Sequence, residues 1–138
     1  MSITRESFTE FLARRLAAST DFLNGDIEPL HAISAATSPA TIFGPRGNTV
    51  EGAEKVNAVN AEGAARFDSG STNAFEVMHQ DADEGLAYWV GIQRSVVRLR
   101  GQEQPVPMDL RVTEIFRRDH GGWVLIHRHA DPLATSTE

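Results

Sequence analysis

The sequence predicts one α+β domain in which a curved, mostly antiparallel sheet folds over N-terminal helices. Three observations lead there. Up to Phe67, apolar residues recur at helical spacing in three segments. After Gly70 the period shortens to alternation, and turn chemistry at Asp81–Gly85, Gly101–Pro105 and Asp119–Gly122 divides the rest into extended runs. The 138 residues are 41% hydrophobic and 23% charged, which suits one core and leaves no room for a second of similar size. A single domain over residues 1–133 with a frayed tail over 134–138 is the expected organisation.

The first helix opens at Ser7, which forms a capping-box pattern with Glu10. Phe8, Phe11, Leu12, Leu16 and then Phe22 or Leu23 mark its inner face, and Asn24-Gly25 is its stop signal. Asp26 is placed to cap a short second helix bearing Ile27, Leu30 and Ile33, with Pro29 tolerated in its first turn. Ala40 to Phe43 reads as a short strand closed by Gly44-Pro45-Arg46-Gly47. A third helix is expected from Glu51 to Phe67, with Val56, Val59, Gly63 and Phe67 turned inward. Four strands follow: Phe75 to Gln80, Leu86 to Arg100, Met108 to Arg118 and Trp123 to Ala130.

On the last strand, alternation puts Trp123, Leu125, His127 and His129 on one face and Val124, Ile126, Arg128 and Ala130 on the other. Neither face is polar, so both need cover. Helices supply one cover and a second subunit the other, which makes a homodimer the expected assembly.

Charge and composition narrow the partners. Thirteen Lys and Arg against nineteen Asp and Glu leave a net charge of −6, which disfavours nucleic acid and excludes a polybasic membrane anchor. The chain has no cysteine, so disulfides, thiolate zinc sites and a Cys nucleophile are excluded. No run approaches the roughly 20 apolar residues of a membrane span. Arg5, Glu6, Glu10, Arg14 and Arg15 break any secretory-type apolar stretch, so a cytoplasmic protein is the default expectation.

Gly25-Asp26-Ile27-Glu28, then Thr41 to Gly47, then Gly52, and finally Gly122-Trp123-Val124-Leu125-Ile126-His127-Arg128-His129 occur in an order that resembles the SnoaL-like group. That group belongs to the nuclear transport factor 2-like (ketosteroid isomerase-like) superfamily. The block from Thr113-Glu114 through Arg118 to His129 is also similar to the association domain of calcium/calmodulin-dependent protein kinases. The resemblance implies a cone-shaped barrel around an apolar pocket, dimerisation through the sheet, and either isomerase, cyclase or dehydratase chemistry or a non-catalytic association role. It does not imply steroid isomerisation. That mechanism uses a pocket base, a Tyr and a protonated acid. The base position here is Gly44, the Tyr neighbourhood is Ala17, Ala18 and Ser19, and only the acid has a counterpart, Glu114.

Glu114 is the leading candidate for chemistry. It shares strand parity with Leu110, Val112 and Phe116. A carboxyl there is either a pocket acid whose pKa burial raises, or the structural partner of Arg128 or Arg94. His129 is its candidate titrating partner, since His127-x-His129 puts one imidazole in packing and the other at the pocket. The same pair with His79 has metal-ligand chemistry but lacks a convincing third ligand, so no metal and no cofactor is expected. Phe43, Phe75, Trp89 and Trp123 are the candidate pocket walls, with Arg128 and His31 as polar handles, His31 lying either at the pocket or on the surface. Arg94, Arg98 and Arg100 form a basic stripe, either solvated or able to capture an anion. The function expected is binding of a mostly apolar small molecule with acid/base chemistry on it; the alternative is an association module.

Overall fold

The computed structural model describes residues 6–134, so most of the tail read as frayed lies outside the described residues. Helix α1 spans Phe8–Phe22, and its capping box is formed: the Glu10 amide donates to Ser7 Oγ at 3.1 Å and the Ser7 amide to Glu10 Oε1 at 3.2 Å. Gly25, at φ 92°, takes the chain out of the helix through a left-handed conformation open to glycine. Helix α2 covers Glu28–Ile33, where Asp26 Oδ1 accepts from the Glu28 amide at 3.1 Å. A short hairpin of β1 (Thr41–Phe43) and β2 (Thr49–Glu51) precedes α3 (Ala53–Ala64). β2 has only three residues and escaped the sequence reading.

Four long strands complete the chain: β3 (Thr72–Ala82), β4 (Leu86–Val97), β5 (Val106–Asp119) and β6 (Gly122–Pro132). They pair in one open sheet of order β2-β1-β6-β5-β4-β3, antiparallel except where β1 runs parallel to β6. Helix α1 touches both β3 and β6, so the sheet curls around it, and α3 packs on the β1–β2 hairpin. The architecture is the α+β class expected. Among the described residues no helix is long and apolar enough to cross a membrane.

One strand register and one helix correct the sequence reading. Ile115 pairs with His127 but Phe116 pairs with Leu125, so Ile126 is an extra residue on β6. Strict alternation therefore fails at that bulge. Trp123, Leu125 and Ala130 all pack in the main core, while Val124 and Ile126 pack on a second cluster of Ala35, Ala40, Ala53 and Val56. In α3, Val59 is exposed rather than inward, and Phe67 lies beyond the helix, its ring 5.6 Å from that of Phe22.

Candidate functional site

One end of the domain is packed solid. Phe8, Phe11, Phe116 and Trp123 interlock with ring centroids 5.2–6.2 Å apart, and Phe75 meets Trp89 edge-on at 5.6 Å. The other end is a cavity of about 730 Å³. Its walls are mostly apolar, with Phe22, Leu23, Val97, Met108, Leu110 and Leu125 among them. Four elements pass from packed core to cavity wall at the same level. On α1 the change falls between Leu12 and Arg15, on β4 between Trp89 and Gln93, on β5 between Phe116 and Leu110, and on β6 between Trp123 and Leu125.

Glu114 stands at that level and is fully buried. Trp89, Glu114 and Arg128 are direct cross-strand neighbours on β4, β5 and β6, so their side chains form a row on the inner face. Arg15 comes down onto the row from α1. Its Nε and Nη2 donate to the two Glu114 oxygens at 2.9 and 2.6 Å, a fork-to-carboxylate pairing. Arg128 Nη1 adds a bond at 2.8 Å and the Trp89 indole N–H another at 2.8 Å. Burial alone would push the Glu114 carboxyl up; attraction and hydrogen bonds from Arg15 and Arg128 outweigh it and hold the pKa down to about 2.

A polar ladder continues from this cluster. Arg128 Nη2 donates to Gln93 Oε1 at 2.8 Å, Gln93 Nε2 to Asn73 Oδ1 at 3.2 Å, and Asn73 Nδ2 to Ser19 Oγ at 3.2 Å. Ser19, Gln93 and Arg128 line the cavity, as does Arg15, while Glu114 sits behind them. His127 also borders it, its Nδ1 2.7 Å from Thr41 Oγ1. Burial, reinforced by His129, pushes the His127 pKa down despite Thr41 and Glu114.

No protein-family model and no curated protein matches the chain. Solved structures do match it. A proposed dehydratase of the nuclear transport factor 2-like family from Streptomyces avermitilis superposes with a TM-score of 0.76 at 17% identity, over 93% of this chain and 97% of that one. A nuclear transport factor 2-like superfamily protein from Salmonella enterica gives 0.75 at 15% identity, over 94% and 90%. The chain has the nuclear transport factor 2-like fold. A calcium/calmodulin-dependent protein kinase II hub homology domain from Chlamydomonas reinhardtii matches at 0.66 and 20% identity, over 94% of this chain and all of that one. Such identities speak for the fold, which hosts many functions.

Within the nuclear transport factor 2-like fold the sequence candidates scatter. Glu114 is not a pocket acid with a raised pKa; it is an ionised carboxylate in an ion-paired cluster. Arg128, one of the two partners read from the sequence, does pair with it, whereas Arg94 is exposed and lies 3.9 Å from Glu76. His129 shares the outward strand face with His127, both rings against Phe43 and His129 half exposed beside Asp131, because the β6 bulge turns the pair outward. His79 is elsewhere, 3.0 Å from the Tyr88 hydroxyl, and among the described residues no group of three His, Cys, Asp or Glu is arranged to hold a metal.

Phe43 and Arg128 do line the cavity. Phe75, Trp89 and Trp123 are core residues outside its lining, and His31 is exposed on α2. Arg94, Arg98 and Arg100 are all exposed. Arg15 was missed, although a signal existed. It lies seven residues after Phe8, four after Phe11 and three after Leu12, squarely on the buried face where Leu16 was placed instead.

Proposed function

We propose that the chain binds a small, mostly apolar molecule in the cavity above the Arg15–Glu114–Arg128 cluster. The observation that carries this reading is the cavity itself: about 730 Å³ of space, walled by Leu, Val, Phe and Met side chains, with polar groups only at defined points. A core meant solely for stability would be filled, because empty apolar space forfeits packing. Proton transfer on the bound molecule falls to neither Glu114, held ionised by two guanidiniums, nor His129, on the outer face of the sheet. Octanol, a neutral apolar probe, should shift the methyl resonances of Leu23, Val97 and Leu110 and leave those of the exposed Leu86 and Val96 unmoved. Lining methyls that stay put at saturating octanol would sink the proposal.

A second reading concerns the outer face of the sheet. Met78 is 63% exposed there, at the rim of a shallow groove with Val90, Ile92, Thr113 and His129. An apolar stripe in that position supports self-association into a homodimer through the sheet, and the likeness to a protein described as a hub homology domain is in keeping with it. Cavity binding and sheet pairing use opposite faces, so one chain can do both.

A further inference from the structure

Arg15 is 3% exposed, and its Nη1 is the one buried side-chain nitrogen or oxygen without a hydrogen-bond partner among the described residues. Its other two nitrogens are spent on Glu114, and Arg128 divides its donors between Glu114 and Gln93. Two guanidiniums, Arg15 buried and Arg128 about one-fifth exposed, against one buried carboxylate leave a net positive charge at the inner end. A guanidinium keeps its proton, so the imbalance cannot be relieved by titration. The lining repeats that sign: it holds Arg15, Arg46, Arg66 and Arg128 against Asp109 alone, on a chain whose net charge is −6. Asp109, Arg46 and Arg66 are exposed at the rim, where they leave the inner end to Arg15 and Arg128.

We infer that the inner end of the cavity is a subsite for an anionic head group, so that the ligand is a small amphipathic carboxylic acid whose apolar body lies along Leu23, Val97 and Leu110. This rests on the reading of the cavity as a small-molecule site. The carboxylate supplies the missing charge and the acceptor that Nη1 lacks. Glu114 acts as a positioning residue: its fork with Arg15 fixes the guanidinium plane and leaves one nitrogen for the ligand. Exposed Arg46 and Arg66 at the rim raise the local concentration of anions at the entrance of an otherwise acidic protein.

The test compares octanoate with octanol on the unmodified protein at neutral pH by calorimetry, with the Arg15 guanidinium nitrogens followed by NMR. Octanoate is expected to bind at least about tenfold tighter than octanol, and only octanoate should move the Arg15 resonances. Arg15→Gln should bring octanoate down to the level at which the same variant binds octanol; should that variant not fold, the Arg15 resonances of the unmodified protein decide alone. Equal affinities overturn the head-group subsite while the cavity reading stands, a water then satisfying Nη1. Octanoate binding that leaves Arg15 unmoved also overturns it, since the acid then sits elsewhere. If neither probe binds, both readings fall.

Discussion

Glu114 stays ionised because its oxygens are held by Arg15, Arg128 and Trp89, and that state has a consequence for stability against pH. Its pKa falls from an ordinary 4.5 to about 2 on folding. The folded chain therefore binds this proton less tightly than the unfolded chain does. The contribution, on the order of 3 kcal/mol, is fully present above the unfolded value and is lost as pH falls from there through about 2. Glu114→Gln leaves the buried Arg15 and the partly exposed Arg128 facing a neutral amide and should cost about 3–5 kcal/mol at pH 7. Denaturant midpoints of the two proteins should stand far apart at pH 7 and draw together towards pH 3. Equal midpoints at pH 7 would refute the ion-paired assignment. Sequence alone showed that Glu114 is inward and that Arg128 is in reach, because both follow from strand parity and pairing. It did not show Arg15, because that contact spans 99 residues and joins a helix to a sheet whose docking no local pattern encodes.

At the scale of elements, two bulges decide which residues meet. The extra residue Ile126 on β6 lets Leu125 and Arg128, three apart in sequence, share the inner face. Alternation assigns them to opposite faces, so the reading was right up to the point where the register shifts and erred from His127 onward, His129 included. Nothing in Leu125-Ile126-His127 announces a bulge, since all three residue types suit a regular strand. On β3 the extra residue is Met78: Val77 pairs with Gly91 and His79 with Val90. Here the sequence does hold a trace, because a Cβ at Gly91 would drive into the Glu76 carbonyl oxygen. Gly91→Ala should cost roughly 1–3 kcal/mol by forcing β3 and β4 apart. Gly85→Ala, at a turn where a Cβ meets nothing within 4 Å, should stay within about 0.5 kcal/mol. Thermal unfolding of both variants checks the contrast, and a silent Gly91→Ala would mean that the strands are looser there than the pairing requires.

For the whole molecule, the open question of cover on the outer sheet face leads to assembly. The order of elements and the change from helical to alternating period were legible because both are local; the three-residue β2 was not, being too short to show a period. The expectation of a dimer first came from β6, whose two apolar faces now have an internal explanation: Val124 and Ile126 are covered by the Ala35, Ala40, Ala53 and Val56 cluster. The uncovered apolar surface lies instead on β4. Its inward residues Ala87, Trp89, Gln93, Ser95 and Val97 are buried by the domain's own helices and cavity floor, while Tyr88, Val90 and Ile92 point outward and are only half covered. Together with Met78 they form an apolar stripe flanked by exposed Arg94 and by the Arg111–Asp131 ion pair at 2.7 Å. A second copy related by a two-fold axis would bury this stripe against itself and set the charged residues at the rim, the usual anatomy of an isologous contact. Sedimentation at micromolar concentration should then give twice the chain mass. Ile92→Lys together with Met78→Lys should give the monomer, with octanol binding in the cavity retained because that site lies on the inner face. A double variant that stays dimeric would move the contact off this face, and a monomeric unmodified chain would remove the dimer altogether.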